Sequence, residues 1–241
     1  MDALCKINGE YAFLNWSSET IRLAGARPEI SCARRNSHAG TADPWPAVEV
    51  AADRLRAVCE TCQVGWMTRL EGAIRPLLLR MIEGSHVGLT PEQQTTVATW
   101  AVLKAAVFEH LWTHDPILTG VDRETLRTRS QPPARVRVRL ALAEPGRCPL
   151  RAQGLVFETR RQCDRAVSVT IAIGRLAATV IGGSSAGMNA LQAVDGPGAG
   201  FTAVFPPQAG TVGWPPPDAL PHESLPASGQ LRGPLEGGVT G

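Results

Sequence analysis

The sequence contains little lysine, few aromatic residues and no long apolar run. No stretch approaches the roughly 20 consecutive apolar residues that a membrane-spanning helix needs, so we expect no membrane segment. The formal net charge is only +2, so the overall charge does not predict a nucleic-acid partner. Among the 24 lysines and arginines only Lys6 and Lys104 are lysines, a bias that we attribute to a GC-rich genome.

Cysteine is also scarce, since the six cysteines are scattered along the chain and only Cys59 and Cys62 stand close together. In a reducing compartment this pattern favours free thiols and a metal site over a disulfide framework. The segment Met1–Glu10 contains no basic stretch followed by an apolar run, which predicts that there is no secretory signal. We therefore expect a cytoplasmic protein.

Helical periodicity in the middle of the chain is followed by strand periodicity, an order that predicts an α+β fold. Thr90, Pro91 and Gln93 match the N-cap, the first helical position and the capping-box position of a long helix. On that helix we expect Lys104 to extend its ammonium group to solvent. Antiparallel strands are predicted at residues 135–142, 154–159, 166–173, 176–181 and 201–205.

Two further segments precede this long helix. Apolar residues from Trp66 to Met81 recur at spacings of three and four and predict another helix. Pro76 should interrupt it at Arg75, because proline donates no backbone hydrogen bond and restricts the residue before it. Residues 24–46 are rich in glycine, proline, serine and aspartate, which predicts a loop.

The segment Cys59-Glu-Thr-Cys62 places two thiolates where one cation can bridge them, as in zinc knuckles. A lone pair supplies half of a tetrahedral site. A redox dithiol has the same spacing, but it requires a helix start that follows a strand within a βαβ unit, and no βαβ pattern surrounds the pair. Two ordinary half-buried cysteines are the third interpretation. The spacing alone leaves all three open.

The residues around this pair carry a resemblance to a known family. The stretches that carry it are Cys59-Glu-Thr-Cys62-Gln-Val-Gly-Trp-Met67, Leu70-Glu71, Pro76, Gly84, Ala98–Ala105, Ile173–Leu176 and Trp214–Pro216. They are similar to a widespread, largely uncharacterised bacterial family that has a Cys-x-x-Cys…Gly-Trp-Met segment followed by two helices. The resemblance covers most of the chain from about Cys59 onward.

In that family the N-terminal region resembles an HNH or treble-clef finger, with an upstream Cys-x-x-Cys and a Glu-His-x-x-Pro-x-Trp-like segment. Here the segment Glu10–Trp16 stands at the equivalent place, with Tyr11 instead of the histidine and Leu14 instead of the proline. Only Cys5 remains of the upstream pair, and Gln63 replaces an asparagine. The N-terminal region is therefore either degenerate or shortened by a wrong start codon.

The substitution at Tyr11 removes the group that the resemblance implies for catalysis. An HNH nuclease uses a histidine as general base toward water and a divalent cation at the scissile phosphate. A tyrosine has a pKa of about 10 and stays protonated at neutral pH. Loss of a general base costs a factor on the order of 100 to 10,000 in rate. His38 is the other candidate base, although nothing in its spacing requires that role.

A structural zinc ion can outlast the loss of catalysis, because the finger still needs the metal to fold. The expected ligands are Cys59, Cys62 and Cys5. The fourth ligand is left open among Cys32, Asp2 and His38.

Arg135, Arg137 and Arg139 alternate along the first predicted strand, so one strand face carries three guanidinium groups. One interpretation is a stripe that contacts phosphates. The other is a solvated strand face in an arginine-rich protein. We favour the solvated face, because no aromatic side chains alternate with the arginines to stack on bases.

These patterns divide the chain into three parts. Residues 1–84 form a degenerate HNH or treble-clef-like region with following helices, residues 85–205 a long helix plus an antiparallel sheet, and residues 206–241 a Pro/Gly-rich, disordered tail. The leading hypothesis is a catalytically impaired HNH-like protein that holds a structural zinc ion and binds nucleic acid or a protein partner. The alternatives are an active metal-dependent HNH-type endonuclease and a metal-free protein-interaction module.

Overall fold

The computed structural model describes residues 7–10, 29–36, 42–45, 55–109, 116–144, 150–158, 165–189 and 200–220. Side chains are described in residues 61–62, 64–109, 116–144, 165–189 and 200–219. In these parts of the chain helices occupy the middle and antiparallel strands dominate the C-terminal half. The predicted α+β class is therefore confirmed at this level.

The described helices are α1 (Glu60–Cys62), α2 (Thr68–Glu83), α3 (Pro91–Phe108), α4 (Gly120–Arg129) and α5 (185–189), and a π-helical segment, Gln63–Met67, joins α1 to α2. The described strands are β1 (Ile7–Glu10), β2 (Glu29–Asn36), β3 (Ala42–Trp45), β4 (Leu55–Cys59), β5 (Val87–Leu89), β6 (Arg137–Ala143), β7 (Leu150–Glu158), β8 (Arg165–Ile173), β9 (Leu176–Gly183), β10 (Phe201–Phe205), β11 (Val212–Trp214) and β12 (Ala219–Leu220).

One large sheet organises the molecule. Its strand order is β10-β6-β9-β8-β7-β2-β3, with β12 paired to β6 at the same edge as β10. Strands β1 and β4 form a separate antiparallel pair, and so do β5 and β11. Helix α3 lies across one face of the large sheet, where it contacts β6, β8, β9 and β10.

Helix α3 begins as its sequence predicts. The Thr90 hydroxyl accepts a hydrogen bond from the Gln93 amide at 3.3 Å, and the Thr90 amide donates to the Gln93 side chain at 2.9 Å. This reciprocal pair satisfies two amides that the first helical turn leaves without intrahelical acceptors. The helix is buried along nearly its whole length, with Trp100 only 1% exposed. It therefore forms the centre of the hydrophobic core.

Lys104 corrects one prediction. Its side chain is only 2% exposed, so the ammonium group does not reach solvent as expected. Instead it forms an ion pair with Glu71 of α2, with 2.5 Å between Nζ and Oε1. A buried ammonium group needs such a partner, because the low-dielectric interior disfavours an isolated charge. The pair joins the two helices across their interface.

Helix α2 corrects a second prediction, because it continues through Pro76 without ending at Arg75. The proline lies on the exposed side of the helix, where the loss of one intrahelical hydrogen bond leaves a carbonyl that water can reach. The kink occurs earlier, at Gly65, whose backbone is non-helical with φ −85° and ψ −110°. At its other end α2 stops at Gly84, which has φ +79°.

The N-terminal part contains strands that the sequence analysis missed. Residues 24–46 were predicted to form a loop, but β2 and β3 lie within them. Strand β2 pairs in parallel with β7, so Glu29 is opposite Arg151 and Asn36 is opposite Glu158. The sheet is therefore mixed, and the prediction of a purely antiparallel sheet needs this correction. The pairing joins segments more than a hundred positions apart, which local patterns cannot indicate.

Residues 206–220, at the start of the predicted tail, pack against the core. The Gln94 side chain donates to the Gly210 carbonyl at 2.8 Å and accepts from the Gln208 amide at 2.8 Å. Strand β11 pairs with β5, and Trp214 is 2% exposed opposite Val87. The remainder of the tail, residues 221–241, lies outside the described residues.

Glu109 joins the end of α3 to α4. Its carboxylate accepts a hydrogen bond from the Ile117 amide at 2.6 Å and forms an ion pair with Arg123. Burial is the largest influence and raises the pKa of Glu109, although Arg123 and the amides of Ile117 and Leu118 act to lower it. The charged form is thus less favourable in the folded chain than in the unfolded one.

This sign makes a pH prediction for Glu109→Gln. A carboxyl group with a raised folded pKa gives its full stabilisation below its unfolded pKa and loses it as pH rises through the folded pKa. The amide of glutamine can still accept from Ile117 but does not titrate. We expect the stability of Glu109→Gln relative to the wild type to increase between pH 4 and pH 7, as measured by urea unfolding.

The matched variant Glu109→Ala separates charge from hydrogen bonding. It leaves the buried Ile117 amide without its carboxylate acceptor, which should cost about 1–3 kcal/mol. A constant difference between Glu109→Gln and the wild type at both pH values would contradict the burial argument.

Candidate metal centre and basic surfaces

Cys59 and Cys62 lie at a junction between a strand and a helical turn. Cys59 is the last residue of β4, and Cys62 is the last residue of α1. Strand β4 pairs with β1 in the antiparallel sense, and Cys59 is opposite Ile7. Helix α3 packs against β4, so the junction is held next to the core helix.

Cys62 is half-buried, and its side chain packs against the main hydrophobic core. It is a free thiol. Arg127 of α4 is close enough for its charge to interact with this thiol. The pKa of Arg127 is raised first by the hydrogen bond and charge of Glu124 and to a smaller extent by Cys62.

The other predicted ligands fall in less completely described parts of the chain. Cys5, Asp2, Tyr11 and His38 lie outside the described residues. Cys32 is in β2, opposite Trp45 of β3. Among the residues whose side chains the structure describes, no group of three or more His, Cys, Asp or Glu side chains could hold a metal ion.

The redox interpretation of the cysteine pair meets one of its two structural conditions. Strand β4 ends at the first cysteine, and the helical turn that follows contains the second. However, β4 pairs with β1 as an antiparallel two-stranded unit, whereas a thioredoxin-like site requires a βαβ unit in a larger sheet. The second condition of the redox interpretation is therefore not met among the described strands.

The three arginines predicted to share one strand face have different surroundings. Arg135 precedes β6 and forms an ion pair with Asp122, with 2.6 Å between Nε and Oδ2. Arg137 donates to the carbonyls of Ala134 and Val136 at 3.3 and 3.1 Å. The guanidinium of Arg139 lies over the Phe201 ring, 4.2 Å from its centroid.

Each of these arginines thus has an intramolecular partner, and a cation over an aromatic face is stabilised by the ring. Only Arg137 and Arg139 lie on the same face of β6, since they are two positions apart in the strand. Neither is fully exposed. The three arginines are therefore less available for contacts with a phosphate backbone than their spacing in the sequence suggested.

A different set of arginines was missed by the sequence analysis. Arg69 and Arg80 lie exposed on α2, and Arg175 lies in the β8–β9 turn beside Gly84 at the end of that helix. In the described part of the chain none of the three is within ion-pair distance of a carboxylate. The spacing of Arg69 and Arg80 places both on one face of a helix, and this could have been recognised in the sequence. The position of Arg175 depends on tertiary packing and was not visible in the sequence.

In the parts of the chain that the structure describes, no helix is both long enough and apolar enough to cross a membrane. The chain was also compared with known proteins. It matches no protein-family model, and neither the curated proteins nor the solved structures include a significant match.

Proposed function

We propose that this chain is a zinc-binding, HNH-like protein that binds nucleic acid without hydrolysing it. The observation that carries the proposal is the placement of Cys59 at the end of a paired strand and of Cys62 in the helical turn that follows. Zinc knuckles use two thiolates at this spacing, with the chain reversing direction around the ion.

The pairing of β1 with β4 supports a third ligand from the N-terminal segment. Ile7 is opposite Cys59 in this pairing, and Cys5 precedes Ile7 by two positions in the sequence. Two residues span at most about 7 Å of chain, so covalent geometry keeps Cys5 near the end of β1. We therefore propose Cys5 as the third thiolate at a cation bound by Cys59 and Cys62.

The absence of hydrolysis follows from the chemistry of Tyr11. A phenol with an ordinary pKa of about 10 cannot accept a proton from water at neutral pH as an imidazole does. A structural zinc ion is independent of that loss, because its role is to hold the chain together. Zinc binding and catalytic inactivity are therefore compatible in one protein.

Metal content gives the direct test. Protein purified without added zinc should contain about one zinc ion per chain by inductively coupled plasma mass spectrometry, and Cys59→Ser and Cys62→Ser should each lose it, because a structural site needs all its thiolates. Cys148→Ser is the matched control, since that cysteine has no ligand neighbour in the sequence, and it should keep the metal.

Two outcomes would overturn the proposal. A folded wild-type protein without metal, unaffected by Cys62→Ser, would remove the zinc centre. Cutting of plasmid DNA by the pure protein with Mg²⁺ or Mn²⁺, abolished by Cys62→Ser, would establish the active endonuclease instead.

A further inference from the structure

Helix α2 has one side in the core and one side facing solvent. Ile74, Leu78 and Met81 are buried against α3 and the sheet. The exposed side carries Arg69, Gly72, Ala73, Pro76 and Arg80. Arg69, Ala73, Pro76 and Arg80 follow the three- and four-residue spacing that places side chains on one helix face. We call these four residues the α2 outer face.

The charges at this face are not neutralised within the described structure. Arg69 and Arg80 form no ion pair with a described carboxylate, whereas Arg123, Arg127 and Arg135 each form one. Within the described residues, the Arg80 guanidinium donates to the His86 carbonyl at 2.7 Å. Unpaired guanidinium groups at a surface keep a positive potential that attracts polyanions.

Arg175 extends this potential past the end of the helix. Its side chain lies so close to Gly84 that a Cβ atom at that glycine would be 2.7 Å from the Arg175 Cδ. The Arg175 Nε atom is buried without a hydrogen-bond partner. Glu83 is exposed at the same end, so two cations, Arg80 and Arg175, face one carboxylate there. The net charge of the side chains along this side of the molecule is therefore positive.

The dimensions of the α2 outer face suit a nucleic-acid duplex. Arg69 and Arg80 are three turns apart, which is about 16 Å along the helix axis at 1.5 Å per residue. The side chains between them are short, so the helix backbone can approach its ligand closely. An α-helix is about 10–12 Å across, and the major groove of a DNA duplex is about 12 Å wide.

We propose that the α2 outer face docks on the phosphate backbone of a nucleic-acid duplex, with Arg69 and Arg80 contacting phosphates at its two ends. This inference rests on the nucleic-acid binding proposed above. It identifies the surface of the protein that would bind the nucleic acid. A protein partner fits less well, because protein interfaces bury a central apolar patch, and here Ala73 and Pro76 are the only apolar side chains on the face.

The test is binding of a short labelled DNA duplex of arbitrary sequence, followed by fluorescence anisotropy over a range of salt concentrations. The double variant Arg69→Gln/Arg80→Gln should lose affinity on the order of tenfold at low salt. Its slope of log affinity against log salt should fall by about 2, because each lost phosphate contact removes about 1. Arg69→Gln alone should show half of that change in slope.

The matched control is Arg129→Gln, an exposed arginine of α4 that forms no described ion pair and lies away from α2 in the sequence. It removes the same charge and should leave the slope unchanged. The melting temperature of each variant is compared with that of the wild type, and an equal value shows that the substitution has not disturbed the fold. Arg69→Gln is the cleaner single variant, because Arg80 also holds the His86 carbonyl.

The outcomes separate the two proposals. If the wild type binds the duplex and the double variant binds equally well, nucleic-acid binding stands and the α2 outer face is wrong. If the wild type does not bind with a salt-dependent affinity, both fail and a protein partner takes the place of the duplex. The zinc measurement is independent of either result.

Discussion

Glu71→Gln is expected to lower the melting temperature by about 6–12 °C, the shift that corresponds to about 3 kcal/mol in a chain of this size. The reason is the surroundings of Lys104, which is 2% exposed and 2.5 Å from the Glu71 carboxylate. Removing one partner of a buried ion pair leaves the other charge poorly compensated, which costs about 3–5 kcal/mol. We use the lower end because Glu71 itself keeps 20% exposure.

The double variant Glu71→Gln/Lys104→Met tests the mechanism. Replacing both charges removes the buried cation while keeping a long side chain, so most of the lost stability should return. Glu124→Gln is the control for an exposed pair, since Glu124 and Arg127 are 57% and 51% exposed, and it should leave the melting temperature unchanged. A double variant as unstable as Glu71→Gln would show that the helix contact, and not the charge, matters.

Gly183→Ala is expected to destabilise the protein by about 3 kcal/mol or more. Gly183 has φ +136°, a conformation that is open almost only to glycine. A Cβ atom there would lie 2.2 Å from the Arg165 carbonyl oxygen, and that oxygen accepts a hydrogen bond from the Ser184 amide. Strain costs about 1–3 kcal/mol, and overpacking adds about 1–3 kcal/mol. Urea unfolding of the purified variant measures the loss.

Gly213→Ala is the matched strand control. Gly213 lies in β11, and a Cβ atom there would meet nothing within 4 Å. The substitution should leave stability unchanged or raise it slightly, because alanine reduces the freedom of the unfolded chain. Equal effects at both glycines would mean that the close approach at Gly183 is relieved by movement of the strand end.

Elements with strong local signals were predicted well from the sequence. The capping residues Thr90 and Gln93 fixed the start of α3, because the hydrogen bonds of a helix N-terminus involve neighbours in the chain. Strand β10 has its predicted bounds, Phe201–Phe205, and β8 differs by one residue at its start. β-branched residues there have little alternative to a strand.

Features that depend on distant residues were not predictable in the same way. Lys104 stands on an apolar helix, and no local rule reveals that Glu71 of another helix faces it. The segment that forms β2 contains turn-forming residues on both sides, and its partner β7 follows it only much later in the chain. Pro76 was predicted to break the helix. Its exposed position on α2, which allows the helix to continue, is known only from the packing.

The candidate site was predicted in part. The sequence indicated Cys59 and Cys62 as a pair, and the structure adds that a strand end and a helical turn hold them. Cys5 and His38, which the sequence suggested as ligands, and Tyr11, which stands at the position of the expected histidine, lie outside the described residues and remain predictions. Arg69 and Arg80 were overlooked because two arginines three turns apart become a surface only when the intervening side chains are known to face solvent.

The parallel pairing of β2 with β7 has a consequence for how the chain can be divided. Eight residues in the first half of the chain, Glu29–Asn36, fill the position between β3 and β7 in a sheet whose other described strands, apart from β3, come from the second half. A shortened chain that begins at the long helix would leave the amides and carbonyls at this edge of β7 unpaired. Strands of neighbouring molecules could then pair with β7, which promotes aggregation. The N-terminal segment that contains β2 and the rest of the sheet are therefore better treated as one folding unit than as separable modules.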